Sequence, residues 1–539
     1  MMSLPNNNAV AGPYGLGRFR RALGHFIGGR AVQALARAAL VLLLVRILPV
    51  EDYGAYMLVV GLSEAALQLF SFGIVPVGYR FLPELVTSGD RSAQRRFIAV
   101  IAGIQLCVLS VAVFVLHANW ENLVTHLGIG PEQAAATVAG VLLFLLVPAF
   151  RLGVDLLDAL LEQGRAQTAR AIMPGGRVAV LASFMLLQGE ILTLGEVILV
   201  DVGVTAFCLV LTWFFLFRSI VSRPGTRAET RLPVRAMLRF AWHMAAVDLL
   251  AATASPGAIR AAVGASLGVA GAALFAFLQS LQRLAGRYLP GVLLRGLVRP
   301  VLFARSLRPQ GMQTVQSGSA LLLKLNLAVA MAGCVLIAAG GDGLVAVLSG
   351  GKFTEAGDTL LLLFLGLASV SQRSVVEMMM QIGGQTNALR WTAGFAPLAL
   401  LGVWQFGYLG LNVAIGIMIA GSVLSNGVAM LIIRRGSPLS IDFAGLTAIG
   451  AAGLIGIGAA LVGRETGYPF AAAAAAIAVF AAAMITLRPF TATETELVGK
   501  VAGRRSGRLL SVAARGSYHR EDIHDTTTAT AGGSRSDKL

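Results

Sequence analysis

The sequence predicts an all-α polytopic membrane protein of about fourteen transmembrane helices, and three observations carry that reading. Apolar runs of about 20 residues recur from Phe26 to Leu487, the length that crosses a hydrocarbon layer about 30 Å thick. Charged residues make up 13% of the 539 positions, about half the roughly 25% of a soluble domain, and mean hydropathy is +0.76. The cationic excess, 43 Lys+Arg against 27 Asp+Glu, gathers on alternate loops. Together these exclude a large soluble enzyme, a secreted disulfide scaffold and a disordered chain.

The expected spans are 26–48, 56–79, 97–117, 137–157, 172–189, 197–217, 238–258, 264–286, 318–340, 358–381, 391–407, 411–433, 443–463 and 470–488. The first follows Arg18, Arg20 and Arg21 but is longer than a signal-peptide core and holds arginines, so it reads as an uncleaved span. An even count puts both termini on one side. Loops holding Arg91, Arg95 and Arg96, then Arg165 and Arg170, then Arg218, Arg223, Arg227, Arg231 and Arg235, mark that side as cytoplasmic. Arg295, Arg299, Arg305, Arg308, Arg390, Arg434 and Arg435 continue the series, whereas the opposite loops offer little beyond Arg260, Lys352 and Arg464. The net charge of +16 is therefore a topology signal, with no nucleic-acid partner implied.

The basic loop 218–237 divides the first twelve spans into six and six. Arg151 and Asp155 in the fourth span match Arg373 and Glu377 in the tenth, 222 positions later, which suggests two six-helix bundles related by a parallel pseudo-two-fold. The expected order is a cytoplasmic segment 1–25, a bundle 26–217, the linker 218–237, a second bundle 238–434, a peripheral helix pair 435–488 and a basic disordered tail 489–539. The helix pair is rich in Ala and Gly and carries no charge within its spans; its glycines permit close helix approach.

Charge inside the bilayer is costly enough to be informative. Arg30 and Arg37 in the first span cost about 2.5–3.5 kcal/mol each, against about 0.3–0.6 returned by each of twelve Leu, Ile, Val and Phe residues. The sums nearly cancel, so this helix should not face lipid with both arginines. Arg30, Gln33 and Arg37 share one helical face, and Arg37, the deeper, is expected to line a water-filled cavity. Further intramembrane charges are Glu64, the stripe Arg151, Asp155, Asp158 and Glu162, then Asp248, Arg283, Arg287, Lys324, Arg373 and Glu377. They concentrate in spans one, two, four and seven to ten, the pattern of two halves around a net-cationic lumen. Such a lumen suits an anionic substrate, and arginine's planar fork suits phosphate oxygens. Arg30, Gln33, Arg37, Arg283, Arg287 and Arg373 are the candidate substrate-binding residues. Glu64, Asp248 and Asp155 are the candidates for coupling protons or sodium.

No catalytic signature is present, and no cofactor or metal site is expected. Cys107, Cys208 and Cys334 lie singly in apolar runs and read as packing residues. Gly350-Gly351-Lys352-Phe353 lacks the leading Gly and the Ser/Thr after Lys of a phosphate loop.

The stretch LPVEDYGAYMLVVGLSEAALQLFSFGIVPVGYRFLPEL at 48–85 and the loop GGDGLVAVLSGGKFTEAGDTL at 340–360 resemble bacterial polysaccharide exporters. These are the lipid-linked oligosaccharide flippases of the multidrug/oligosaccharidyl-lipid/polysaccharide exporter superfamily. The shared features are an arginine-bearing first helix, the turn Arg46 to Pro49, the step Glu51 to Gly54 and a second helix ending at Gly73. The resemblance implies a bacterial inner-membrane transporter that flips a polyprenyl-pyrophosphate-linked glycan by alternating access, with polysaccharide polymerase or export partners. It also implies pyrophosphate contact by Arg30 and Arg37 and by Arg283 or Arg287. The second helix departs from the pattern, because its basic residue, Arg80, lies at the cytoplasmic end and its core holds Glu64. A lipid-linked peptidoglycan precursor is an open alternative substrate. An ion-coupled drug exporter would want an acidic lumen, and a membrane glycan polymerase or ligase a larger outside loop than 118–136.

Overall fold

The computed structural model describes residues 16–87, 90–188, 192–221, 233–293, 311–385, 388–437 and 439–502, together with 302, 507 and 510–515. They form a helical membrane protein whose described strands are two short parallel pieces, β1 (Phe490–Thr491) and β2 (Ala514–Arg515). In chain order the helices are α1 (Leu16–Ile47), α2 (Val50–Leu69), α3 (Ile74–Thr87), α4 (Arg91–Ala118), α5 (Trp120–His126) and α6 (Pro131–Thr137). Next come α7 (Leu143–Ala159), α8 (Gln163–Gln188), α9 (Leu194–Val221), α10 (Val234–Thr253), α11 (Pro256–Gly286) and α12 (Pro290–Leu293). The chain continues with α13 (Gly311–Ser349), α14 (Gly357–Ile382), α15 (Ala388–Ala393), α16 (Phe395–Phe406), α17 (Leu411–Gly436), α18 (Phe443–Arg464), α19 (Pro469–Leu487) and α20 (Ala492–Ala502).

Every expected span coincides with helix. Among the described residues ten helices are long and apolar enough to cross a membrane, or eleven with the bent pair α2–α3 as one span. The other three expected spans are helical but interrupted or charged. Helix α1 carries Arg30, Arg37 and Arg46, α10 carries Arg235, Arg239 and Asp248, and a break at Gly394 separates α15 from α16. All three are helical among the described residues.

Contacts group the chain into two compact units. One comprises residues 1–288, 340–370 and 386–429, the other 289–339, 371–385 and 430–539. In the first, Ile74, Phe81, Leu82, Phe97, Leu157 and Cys208 belong to one apolar cluster, and Asp90 caps α4 by accepting from the amides of Ser92 and Ala93 at 2.9 and 3.0 Å. In the second, α18 packs on its neighbours through small residues: Gly453 meets Met331 and Gly456 meets Val335 on α13, and Gly463 meets Ala472 on α19. That is how helices associate where lipid removes the hydrophobic drive. The chain after Arg488, where the sequence pattern reads disorder, folds at least as far as α20 and the β1–β2 pair.

One stretch differs from its sequence-based boundaries. The Arg260 Nε donates to Gln279 Oε1 at 2.8 Å, although 19 residues of straight helix would separate them by about 28 Å. The chain reverses at Gly268, whose φ of 71° and ψ of −175° interrupt α11, a conformation that glycine alone adopts at low cost. Residues 256–267 thus extend the crossing begun by α10, and the eighth crossing starts after Gly268. This broken crossing runs antiparallel to α2–α3: Gly73 meets Ala241, Gly61 meets Gly257, Leu58 meets Gly264, and Gly54 meets Val269. The expected boundary at 264 and the placement of Arg260 in an outside loop are both corrected. Pro256 and Gly257 resemble loop residues, but Pro256 sits at the first helical turn after the Ser255 cap.

Candidate functional site

The first unit encloses a cavity of about 410 Å³ lined by α1, α2, α7, α8, α9, both arms of α11 and Leu348. Its walls are largely apolar, with Leu40, Leu44, Val60, Leu67, Leu281 and Leu284 among them. Six arginines reach it, Arg37, Arg151, Arg177, Arg260, Arg283 and Arg287, against two acids, Glu64 and Asp201. The lining charge is 6 − 2, a surplus of four positive charges. Convergent polar groups in an apolar pocket are the ordinary anatomy of a ligand site, and the surplus gives that site a sign.

The helices place these charges by simple spacing. On α2, Gly61 and Glu64 are three residues apart and share a face. Gly61 lies against the Arg260 stem, and the backbones come closest where a Cβ on Gly257 would run into the Gly61 carbonyl. Glu64 Oε2 stands 3.6 Å from Arg260 Nη1 and 3.3 Å from Arg283 Nη1. The Arg260 side chain is only 1% exposed, and neither of its Nη atoms has a hydrogen-bond partner among the described residues. Arg37 makes no ion pair among the described residues, and the charges acting on it are Arg287, Arg151 and Arg283 against Glu64 alone.

The wall carries one neutral pair. Arg177 on α8 bonds Asp201 on α9, Tyr56 donates to Asp201 Oδ2 at 3.0 Å, and Arg177 Nη2 donates to Thr205 Oγ1 at 2.9 Å. Beside it runs an ion ladder between α7 and α8. Arg151 meets Asp155 at 3.2 Å, Arg170 meets Asp155 at 3.4 Å and also bonds Asp158, and Arg165 meets Glu162 at 3.6 Å.

Three expected residues, Arg37, Arg283 and Arg287, line the cavity together with Glu64. The side chain of Arg30 lies outside the described set. Gln33 bonds the Arg170 carbonyl at 3.3 Å, joining α1 to α8. Asp155 belongs to the ion ladder and also accepts from the Tyr79 hydroxyl at 3.3 Å. Asp248 accepts from Ser71 Oγ at 2.5 Å and from the Gly73 amide at 3.2 Å. It thereby ties α10 to the break between α2 and α3, where Phe72 and Gly73 have φ of 43° and 70°. Arg373 pairs with Glu377 at 2.8 Å in the second unit. Arg80 lies over the rings of Phe81 and Phe240. Lys324, expected among the lumen charges, is buried in the second unit against Glu494 and Asp442.

Arg177, Asp201 and Arg260 were absent from the sequence-based set. The first two are single charges in runs read as nearly charge-free, and a lone ionisable residue in such a run is the signal that finds them. Among the described residues no cluster of three or more His, Cys, Asp or Glu is placed to hold a metal ion.

A second arrangement joins the end of α1 to the end of α13. The Arg46 guanidinium donates to the Val347 carbonyl at 2.8 Å, while Lys352 donates to the carbonyls of Arg46, at 3.0 Å, and Leu48. Each cation thus satisfies carbonyls at the C-terminus of the other's helix, where the dipole is negative.

No family model matches the chain, and no curated protein matches it. Solved structures do resemble it. An inward-facing multidrug resistance MATE family transporter of the MOP superfamily aligns with a TM-score of 0.60 at 15% identity, covering 75% of this chain and 94% of that one. The lipid II flippase MurJ in an inward closed conformation aligns with a TM-score of 0.64 at 10% identity, covering 85% and 97%. A MATE structure in complex with MaL6 aligns at 0.53 with 15% identity, covering 79% and 96%. The chain has the fold of these transporters.

Proposed function

We propose that this protein is a non-enzymatic, alternating-access transporter that flips a lipid-linked, phosphate-bearing substrate, a polyprenyl-pyrophosphate oligosaccharide, from the inner to the outer leaflet. The observation that carries this reading is the surplus of four positive charges lining one apolar-walled cavity. A buried positive field lowers the cost of moving a phosphate out of water, and guanidinium forks match its oxygens. A lumen for cationic drugs would carry the opposite sign.

The positive-inside pattern supports cytoplasmic termini, and the resemblance to bacterial exporters supports an inner-membrane location. On that topology the α2–α11 seam and the Arg46–Lys352 exchange lie toward the outside, and both support a state closed on that face. The six-plus-six division supplies the moving parts, with the two halves rocking about the cavity. A lipid-linked peptidoglycan precursor is the second reading, favoured by the likeness to the lipid II flippase over 85% of this chain. It shares the pyrophosphate and differs in the sugar.

The test is a strain lacking this protein, with its polyprenyl-linked glycans extracted and their leaflet determined. Complete units trapped on the cytoplasmic face, with surface polysaccharide lost, are expected. Units that reach the outer leaflet but stay unpolymerised would instead make the protein an enzyme or its partner.

A further inference from the structure

Glu64 is one of two acids lining the cationic cavity, and its surroundings are unlike those of a cation carrier. One of its oxygens faces two guanidinium groups, Arg283 at 3.3 Å and Arg260 at 3.6 Å. A proton or sodium ion arriving there would have to share the carboxylate with both arginines and meet their repulsion. The grip is nevertheless incomplete. At 3.6 Å the Arg260 contact is electrostatic without a hydrogen bond, and both Arg260 Nη atoms, fully buried, have no hydrogen-bond partner among the described residues. The Arg260 Nε is held by Gln279, which fixes the plane of the guanidinium in the cavity wall with Nη1 beside Glu64.

We propose that Glu64 is an internal counter-anion which a diphosphate displaces from Arg260 and Arg283, and which reclaims them when the substrate leaves. The proposal rests on the reading of the cavity as a phosphate site. With Glu64 and Asp201 already counted, four positive charges of the lining stay in surplus and the Arg260 Nη donors are unmet. A diphosphate brings more charge and several acceptor oxygens, so it fills those donors and wins the exchange. Once the outer face opens and water screens the phosphate, the tethered carboxylate competes at high local concentration and speeds release. Glu64 thereby lowers affinity for the substrate in favour of turnover. It sets specificity too, because a monoanion gains too little over the resident carboxylate to displace it.

The experiment is titration calorimetry of the full-length detergent-solubilised protein with inorganic pyrophosphate, for wild type, Glu64→Gln, Glu64→Asp, Arg260→Gln and the double variant Glu64→Gln/Arg260→Gln. Glu64→Gln is expected to bind about tenfold more tightly, a change of about 1.4 kcal/mol. Glu64→Asp, whose shorter arm retreats from both arginines, should fall between it and wild type, and it carries the test if the glutamine variant does not fold. The double variant should lose the gain, since the added affinity passes through Arg260. Wild-type binding with no gain, or a loss, in both Glu64 variants would overturn this proposal while leaving the phosphate site standing. No binding of pyrophosphate by any form would overturn the phosphate site and this proposal with it.

Discussion

Two groups of buried charge, one in each compact unit, are built on opposite principles. In the second unit Lys324, 1% exposed, holds both Glu494 oxygens at 2.8 and 2.7 Å and Asp442 at 2.7 Å, with Arg515 completing the set at 3.6 Å. Two cations meet two acids, the contacts to lysine are hydrogen bonds, and the Thr491 amide adds a further donor to Glu494. In the first unit six arginines line one cavity, where Asp155 answers Arg151 at 3.2 Å, Asp201 answers Arg177, and Glu64 alone faces both Arg283 at 3.3 Å and Arg260 at 3.6 Å. A charge that serves the fold is neutralised one for one at hydrogen-bond distance, because an uncompensated buried ion costs several kcal/mol. A charge left in surplus at longer range is held for something that arrives.

The sharpest way to break this contrast is Arg37→Ala, which should abolish flipping in proteoliposomes while thermal unfolding stays close to wild type, since Arg37 makes no ion pair among the described residues. Normal flipping by this variant would remove the basis for a cationic lumen. Lys324→Ala should do the reverse. It strands Glu494, 3% exposed, and should cost about 3–5 kcal/mol, read as a lowered melting temperature and rapid proteolysis beyond Arg488, with pyrophosphate binding intact. An apolar Lys324→Met/Glu494→Leu pair should recover most of that loss, which a functional role for Lys324 would not allow.

Smaller effects follow. Lys352→Met deletes two hydrogen bonds to the end of α1, each worth about 0.5–1.5 kcal/mol. It should raise the outward-open population, seen as faster labelling of a cysteine placed at Leu348. The least effect is expected from mild acid on the lysine cluster. Burial pushes the Asp442 carboxyl up, but hydrogen bonds from Lys324 and the Gly445 amide and the charges of Lys324 and Arg515 hold it below the ordinary carboxylate value. A carboxylate lowered in the folded state stabilises it at pH above its unfolded value of about 3.9 and loses that effect as pH falls through the folded one. Hydrogen exchange across 490–502 should therefore be flat from pH 8 to 5 after correction for intrinsic rates, and should rise only below about pH 4.

The helices and the excess of arginine among the cavity's charges were legible in the sequence, because a charge within an apolar run is conspicuous and its cost is known. Partners chosen across helices were not. Lys324 read as a lumen charge because its acids lie 118 and 170 positions further along, one of them in a segment that reads as disordered. Arg260 read as a loop residue because the reversal at Gly268 moves it back against Gln279, and in a glycine-rich region nothing local distinguishes that glycine from its neighbours. Arg177 and Asp201 neutralise one another across α8 and α9, so neither forms a charge pattern along its own helix. Spacing along one helix is local and readable; pairing between helices is decided by tertiary structure.

The lysine cluster also has a consequence for biogenesis. Lys324 leaves the ribosome 170 residues before Glu494, an interval of roughly 10–30 s at about 5–20 residues per second. Asp442, 118 residues on, is the first acid able to meet that charge, and a chain truncated after the fourteenth span would lack the buried Glu494 partner permanently. The docking of α20 thus marks a chain whose synthesis has passed Glu494, and membrane proteases that survey exposed intramembrane charge would meet a half-neutralised Lys324 in chains that stopped before it.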